Sequence, residues 1–184
     1  FGFSGKDAIL YALAVGASAD PVDAEDLKYT DASPPTAPCI LPSFAVLFSH
    51  APNAALLSLP SLSFDPTQLL HGEQDLCLAR GKDGLALPLP AAGALVVSQG
   101  KVEAVFDKGS GAVAVVDTLS RESKTGQVLC ANRSTLFLRG AGGFGGDRGS
   151  SRRPTFPSSA PTHSVQVPIP PNTALLYRLL GDLN

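Results

Sequence analysis

The chain has 184 residues, of which 44% are hydrophobic and 16% are charged, and its formal net charge at pH 7 is -2. This composition predicts one compact domain, or a domain with an extended arm, built around a hydrophobic core. The small net charge argues against a nucleic-acid partner and against binding to anionic lipid. No apolar run approaches the roughly 20 residues that span a bilayer.

Three cysteines stand far apart in the chain, at Cys39, Cys77 and Cys130. Because their number is odd, at least one thiol lies outside any intrachain disulfide, and we expect buried, reduced thiols in an intracellular protein. No group of Cys, His and Asp has the short spacing of a metal site, so no metal is expected.

Neither end of the chain has the character of a natural terminus. The first residue is Phe1 rather than a methionine, and the last four are Gly181-Asp-Leu-Asn184. We interpret both ends as boundaries within a longer protein, so the absence of a signal peptide carries little weight.

A helix is predicted close to the start of the chain. Ser4 can cap it, Asp7 stands three residues later as in a capping box, and Gly16 is placed to end it. Residues 17–39 are rich in Asp, Pro and Thr, which predicts a loop with one short strand at 27–30.

A second helix is predicted over residues 43–49. It begins after Pro42, and Pro52 is expected to stop it because proline disrupts a helix interior. Residues 69–79 then have the composition of a strand.

The clearest pattern in the chain is a group of three strands, at 95–106, 111–120 and 128–138. Turn sequences at 107–111 and 123–126 join them, so we predict an antiparallel meander. The valines of the second run suggest a strand buried on both faces, and hence a central strand. Helices followed by a meander favour an α+β domain in which a sheet packs on helix.

The character of the sequence changes after the third strand. Residues 140–146 are mostly glycine, and residues 147–171 are rich in Ser, Arg and Pro and too poor in large apolar residues to support a core. A last helix is expected over 174–180, capped by Asn172 or its neighbour and ended by Gly181. No internal repeat is visible.

The segment Gly140-Ala-Gly-Gly-Phe-Gly145 matches the pattern G-x-G-x-x-G and follows a strand. A dinucleotide site would also need a helix beginning at the glycines and an acidic residue about 20 positions later, and both are missing. Two interpretations remain: a flexible exit from the sheet, or a loop whose backbone approaches a phosphate-bearing ligand.

Two further motifs have ordinary interpretations. His71 and Glu73 are two apart on a predicted strand and would share a face, as a general acid and base would require, but a structural or substrate-lining role is favoured. Asn132-Arg-Ser134 has the form of a glycosylation sequon. It lies inside a predicted strand, so we take it as coincidence.

Six segments, read in order, resemble the successive signatures of the MaoC-like type 2 enoyl-CoA hydratases, a family that includes the hydratase module of the peroxisomal multifunctional enzyme. The resemblance covers nearly the whole chain. The segments are Tyr11-Ala-Leu-Ala-Val-Gly-Ala17, Leu41-Pro-Ser-Phe44, Leu69-Leu-His-Gly-Glu-Gln74, Asp107-Lys-Gly-Ser-Gly111, Asn132-Arg-Ser-Thr-Leu-Phe-Leu-Arg-Gly-Ala-Gly-Gly-Phe-Gly-Gly146 and Ala174-Leu-Leu-Tyr-Arg-Leu-Leu-Gly-Asp-Leu-Asn184.

The resemblance implies a double hot-dog fold, in which each repeat is a bent antiparallel sheet wrapped around a helix. Residues 1–146 would be the N-terminal repeat, which shapes the acyl-chain pocket. Residues 147–171 would be a connector, and residues 172–184 the start of the C-terminal catalytic repeat. The implied reaction is the reversible hydration of trans-2-enoyl-CoA to (3R)-3-hydroxyacyl-CoA in fatty-acid β-oxidation.

The family's catalytic motif reads Gly-Asp-x-Asn-Pro-Leu-His, and Gly181, Asp182 and Asn184 match it. The resemblance therefore implies that Asp182 is catalytic, that Asn184 is an orienting residue, and that the catalytic His lies three residues past the chain end. This stretch alone is expected to be inactive for that reason. Leu180 and Leu183 depart from the family pattern, where Ser and an aromatic residue are usual, which leaves a non-catalytic homologue acting as a binding or interaction module as the alternative.

Further expectations follow from the same resemblance. The residues expected to line the substrate are His71, Gly72, Gly142, Gly143 and Phe144. Acyl-CoA is the substrate, and no cofactor is needed. The missing C-terminal repeat, or another protein, would cover an exposed apolar face, so an oligomer is expected. The implied location is the peroxisome, with the cytoplasm as the alternative.

Overall fold

A computed structural model describes residues 1–33, 37–55, 64–150, 155 and 157–180. In chain order the elements are β1 (Gly2–Phe3), α1 (Gly5–Ala14), α2 (Ala24–Leu27), a 3-10 helix (Pro42–Ser49) followed directly by α3 (His50–Ala55), a short 3-10 helix (Pro66–Gln68), β2 (Leu69–Leu78), β3 (Ala94–Asp107), β4 (Gly111–Glu122), β5 (Val128–Arg139) and α4 (Thr173–Arg178). Within these ranges no helix is both long enough and apolar enough to cross a membrane.

The five strands form one antiparallel sheet in the order β1-β3-β4-β5-β2. The predicted meander and the central place of β4 are confirmed. The expectation that β4 is buried on both faces is wrong, because burial alternates along the strand. The side chains that face inward are Ala112, Ala114, Val116, Thr118 and Ser120.

The core forms where the sheet curls around one helical segment. The 3-10 helix Pro42–Ser49 contacts all four long strands. Phe44, Leu47 and Phe48 are almost completely removed from water. Rings from other elements pack on this helix: the centroid of Phe44 lies 5.0 Å from that of Phe3 and 5.4 Å, edge to face, from that of Tyr11.

The helix predicted over 43–49 is confirmed, but Pro52 does not stop it. The helical segment continues as α3 to Ala55. Pro52 lies in the first turn of α3, where a missing N–H removes no hydrogen bond from the helix interior.

The helix predicted close to the start of the chain is confirmed as α1, with its capping box. Asp7 accepts hydrogen bonds from the backbone N–H of Ser4 at 2.8 Å and from its hydroxyl at 2.6 Å, and Gly16 ends the helix with a φ of 97°. The strand expected at 27–30 is wrong. Asp23 accepts from the N–H of Glu25 at 2.9 Å and caps the helical turn α2 in that region instead.

The last helix packs against the first. The rings of Tyr11 and Tyr177 lie 6.1 Å apart, and Leu180 is buried in the same apolar cluster as the phenylalanines of the 3-10 helix. The helix ends at Arg178, two residues earlier than predicted. The sequence Ala174-Leu-Leu-Tyr-Arg-Leu, which lies in this helix and the residue after it, resembles Ala8-Ile-Leu-Tyr-Ala-Leu of α1. The expectation that the chain contains no internal repeat is therefore wrong.

The three cysteines are all free thiols. Cys130 is buried, and its burial raises the pKa of the thiol. Cys39 and Cys77 are exposed, so the expectation of buried thiols is wrong for two of the three.

Removing the ring at the centre of the core tests this description. We expect Phe44→Ala to lower the free energy of unfolding by about 3–5 kcal/mol, because the site cannot collapse around the lost ring. Urea unfolding followed by circular dichroism measures the change. Leu85→Ala is the control: Leu85 is 68% exposed, and its loss should cost far less. Equal effects of the two substitutions would contradict the placement of Phe44.

Candidate functional site

The inner face of the sheet carries two separate apolar clusters. The first lies under the 3-10 helix and contains its phenylalanines. The second lies on the same face and includes no residue of the helical segment Pro42–Ala55. Its buried members are Ala112, Ala114, Val116, Leu136 and Leu138, with Phe64, Leu69, Val102, Val105 and Ala141 packed around them. Its centre holds the small side chains of Ala112 and Ala114, and its buried members are at most 2% exposed.

A band of polar side chains on the same face joins β2, β5 and α3. The amide of Gln74 donates to the side-chain oxygen of Asn132 at 2.8 Å. The hydroxyl of Ser134 donates to the Gln74 oxygen at 2.8 Å and accepts from the Asn53 amide at 2.9 Å. Asn132 in turn donates to the carbonyl of Ala45 at 3.0 Å. The band therefore links the helical segment to the sheet by side chains as well as by apolar packing.

The band is almost, but not fully, satisfied. Among the described residues, the buried oxygens Asn53 Oδ1 and Thr118 Oγ1 have no hydrogen-bond partner. Asn132 is only 2% exposed and its amide is engaged. A glycan could not be attached to this buried side chain in the folded chain, which agrees with treating the sequon as coincidence.

His71 lies at the outer end of this band. Its Nε2 is 3.0 Å from the Gln74 oxygen, and because that oxygen only accepts, Nε2 carries the proton. The premise that His71 and Glu73 share a face is wrong. A register shift at Gly72 pairs His71 with the inward-facing Leu136 and Glu73 with its neighbour Thr135, so the two side chains lie on opposite faces. A substrate-lining role for His71 and Gly72 stays a prediction.

The carboxylate of Asp107 ties the glycine-rich loop to the end of the sheet. Asp107, at the end of β3, accepts hydrogen bonds from the N–H groups of Gly109 at 2.8 Å, Gly143 at 2.9 Å and Gly145 at 2.7 Å. These donors, first that of Gly143, lower the pKa of Asp107 below its ordinary value. A Cβ at Gly142 would overlap the carbonyl oxygens of Gly109 and of the first residue of β4. The loop is therefore not a free exit from the sheet.

This arrangement bears on ligand binding. The N–H groups of Gly143 and Gly145, which would face a bound phosphate, already face the carboxylate of Asp107. Phe144 lies between them with an exposed ring. The structure therefore gives these two donors an internal partner, and a substrate-binding role for Gly142, Gly143 and Phe144 stays a prediction.

The predicted catalytic residues Asp182 and Asn184 lie outside the described residues, as does Gly181. The structure fixes the chain up to Leu180, whose side chain is buried in the first apolar cluster. Across the described ranges, no three or more His, Cys, Asp or Glu side chains are grouped so that they could hold a metal ion.

The comparison with solved structures identifies the class of fold. The chain is similar over its whole length to a MaoC-like dehydratase from Phytophthora capsici, with a TM-score of 0.73 and 25% sequence identity, and it covers 60% of that chain. The curled five-stranded antiparallel sheet wrapped on a helix is thus the hot-dog fold, as the resemblance implied.

The family is shown by sequence. The family model described as the MFE-2 hydratase 2 N-terminal domain matches residues 1–140, and the chain belongs to this family. It is 34% identical to the peroxisomal enoyl-CoA hydratase 2 of Arabidopsis thaliana, covering 99% of this chain and 60% of the relative. It is 36% identical to the peroxisomal multifunctional enzyme type 2 of Mus musculus, covering 96% of this chain and 23% of the relative. The chain thus spans less than two thirds of the length of each.

Replacing the carboxylate that holds the glycine loop tests its role. Asp107→Asn puts an amide N–H where an acceptor is needed, so we expect lower stability at pH 7 and faster amide exchange at Gly143 and Gly145. Because the folded-state pKa is lowered, the stabilisation is complete above the ordinary carboxyl pKa of 3.8 and is lost as the pH falls below it.

Urea unfolding at pH 7 and in acid, with hydrogen exchange read by mass spectrometry, measures both effects. Asp83→Asn is the matched control, because Asp83 accepts the single N–H of Leu85 at 3.0 Å in an exposed turn. A stability difference between the parent and Asp107→Asn that persists unchanged in acid would contradict the assignment.

Proposed function

We propose that this chain is the N-terminal part of an enzyme that reversibly hydrates trans-2-enoyl-CoA to (3R)-3-hydroxyacyl-CoA in fatty-acid β-oxidation. The match of residues 1–140 to a hydratase 2 domain family carries the proposal. Relatives named as enoyl-CoA hydratase 2 and as peroxisomal multifunctional enzyme support it. Their names also support a peroxisomal location.

The chemistry proposed for the end of the chain rests on the motif Gly181-Asp-Leu-Asn184. Water is a poor nucleophile, so an acid–base pair must orient and deprotonate it while a proton is delivered to Cα. In this proposal Asp182 is one member of the acid–base pair and a His from the continuation of the family motif is the other. Asn184 is an orienting residue. Addition of water needs no redox or group-transfer cofactor. Leu180 supports this placement, because its burial anchors the chain two residues before Asp182.

The acyl chain is proposed to lie against the second apolar cluster. No residue of the helical segment belongs to this cluster, and its central side chains are the small Ala112 and Ala114. The polar band around Gln74 separates it from the packed aromatic core. An apolar surface bounded by a few fixed polar groups is the usual character of a small-molecule site.

A second segment of protein is proposed to cover the apolar surface that remains. Leu175 on α4 and Leu179 directly after it are exposed, as are Val165, Val167 and Ile169 before the helix. Exposed apolar groups of this kind favour association, and the family's C-terminal repeat is the proposed cover. A non-catalytic binding module is the second candidate, favoured by Leu180, where relatives of this family usually carry Ser.

The role of the carboxylate is tested in the protein with its natural continuation. We expect Asp182→Asn to slow hydration by about 10²–10⁴-fold with acyl-CoA binding largely kept, because an acid–base group is lost while the shape is preserved. Loss of enoyl absorbance with crotonyl-CoA and longer substrates measures the rate. Asp147→Asn is the control. A near-parent rate for Asp182→Asn would show that its assignment is wrong, and a parent that binds acyl-CoA without hydrating it would favour the binding module.

The proposed acyl surface makes a separate prediction. We expect Ala114→Leu to fill space in the second apolar cluster and to lower kcat/KM for long enoyl-CoAs much more than for crotonyl-CoA, since the added volume would meet only a long chain. Retained activity on the short substrate shows that the variant folds despite overpacking. Val115→Leu, one residue along β4 and on the opposite face, is the control. The same loss for both chain lengths would place the acyl chain elsewhere.

A further inference from the structure

Two buried oxygens on the inner face of the sheet lack a hydrogen-bond partner: Oδ1 of Asn53 on α3 and Oγ1 of Thr118 on β4. Within the described ranges, every other buried side-chain oxygen or nitrogen has one. Thr118 is only 2% exposed, so bulk water does not replace the missing partner. Leaving a buried polar group unpaired costs free energy, and folded proteins seldom tolerate it without a reason.

The two oxygens belong to side chains that meet under α3. Gly100 of β3 is the direct cross-strand partner of Thr118, and a Cβ at Gly100 would lie 2.5 Å from the Cβ of Pro52. Pro52 therefore contacts the sheet on one side of Thr118. On the other side, the amide of Asn53 donates to the hydroxyl of Ser134 on β5 at 2.9 Å. Thr118 thus lies between the two places where consecutive residues of α3 contact the sheet.

A chain of hydrogen bonds that starts at the Ala45 carbonyl fixes which way the Asn53 amide points. A carbonyl only accepts, so the amide nitrogen of Asn132 faces Ala45 at 3.0 Å. The Asn132 oxygen then takes its donor from the Gln74 amide nitrogen at 2.8 Å. The Gln74 oxygen accepts the one hydroxyl proton of Ser134 at 2.8 Å. Ser134 can therefore only accept from Asn53, whose oxygen must point away from the band, and turning the amide over would not satisfy it.

The unpaired atoms lie at the boundary between the second apolar cluster and the polar band. On the inward face of β4, Thr118 follows Val116, a buried member of that cluster, and Val116 is the direct partner of Ser134. The chemistry of the two atoms selects what can fill the site. The Asn53 oxygen requires a donor, and the Thr118 hydroxyl can both donate and accept. One hydroxyl-sized group satisfies both, whereas an apolar group or an anion has no proton for the amide oxygen.

We propose that Asn53 Oδ1 and Thr118 Oγ1 form a binding site for one hydroxyl-sized group at the edge of the second apolar cluster. Two sources share this chemistry: a buried water molecule, and a hydroxyl group carried on the acyl chain. The second source rests on the proposed function, because it requires the acyl chain to lie against that cluster. A site with buried polar groups discriminates between a ligand that carries the matching hydroxyl and one that lacks it.

The first measurement detects a bound water. Thr118→Val keeps the shape of the side chain and removes its hydroxyl. If a water fills the site, it loses a partner, and we expect the unfolding equilibrium constant from urea titration to rise by roughly fivefold, as for one hydrogen bond. If the site is empty, the variant should be at least as stable as the parent, because an unpaired polar group is gone. Thr135→Val, next to Ser134 but on the outer face of β5, is the matched control.

The second measurement detects a hydroxyl on the acyl chain. Saturated acyl-CoAs of one chain length, unsubstituted or with a hydroxyl at successive carbons, are titrated calorimetrically into the protein with its natural continuation. If the acyl chain supplies the group, we expect one hydroxyl position to bind about tenfold more tightly than its neighbours. Thr118→Val should abolish that advantage, while Thr118→Ser, which keeps the hydroxyl, and Thr135→Val should retain it.

The two measurements together decide the proposal and its source. A destabilised Thr118→Val without a preferred position assigns the site to water, and a preference that depends on Thr118 assigns it to the acyl chain. A Thr118→Val variant at least as stable as the parent, with no hydroxyl position whose advantage depends on Thr118, would overturn the proposal. Circular dichroism shows that each variant is folded, and Thr118→Ala, which also lacks the hydroxyl, repeats the comparison. Neither readout requires hydration, so a protein that gives either result without hydrating enoyl-CoA keeps this site and loses the proposed function.

Discussion

The fold depends on the removal of one short helical segment from water by a sheet that curls around it. Phe44, Leu47 and Phe48 place three large side chains against strands that are far apart in the sequence. A curled sheet fits this segment, and each strand buries alternate residues on it. The polar band fixes the position of the helical segment along the sheet. Asn132 reaches a backbone carbonyl of the segment, so sliding the segment along the sheet would leave buried polar groups without partners.

The same packing divides the inner face into two apolar clusters of different composition. Where the segment lies, rings fill the space and the core is aromatic. In the second apolar cluster the sheet contributes small and aliphatic side chains, with Ala112 and Ala114 at the centre, and no aromatic ring of the helical segment packs there. The Asp107 carboxylate holds the glycine loop against the end of β3. Hydrogen bonds to backbone N–H groups, and not large side chains, therefore fix the position of this loop.

Features set by neighbouring residues could be predicted from the sequence, and features set by distant pairing could not. The turns of the meander and the Ser4–Asp7 capping box follow from local chemistry, whereas the central place of β4 was predicted from burial on both faces, which the structure does not show. The bulge at Gly72 depends on the register of β2 against β5, and the Gln74–Ser134 bond joins residues 60 positions apart. The hold of Asp107 on Gly143 spans 36 positions. In the sequence, Asp107 has only the character of a turn residue, and nothing local indicates its contact with the later glycine run. The family resemblance supplied the hot-dog fold, and the predicted catalytic end lies outside the described residues.

The helices α1 and α4 have similar sequences and pack against each other, but only the sequence after α4 carries a carboxylate that could act as an acid–base group. Both helices carry the pattern Ala-x-Leu-Tyr-x-Leu, and their tyrosines meet between them. In the first helix the glycine that ends it, Gly16, is followed by Ala17, which has no group able to move a proton. In the last, Gly181 is followed by Asp182. If the two helices begin equivalent repeats, as the family implies, the first supplies packing and acyl surface while the second supplies the acid–base group. A buried Leu180 is then compatible with catalysis, because its side chain serves the helix pair rather than the reacting atoms.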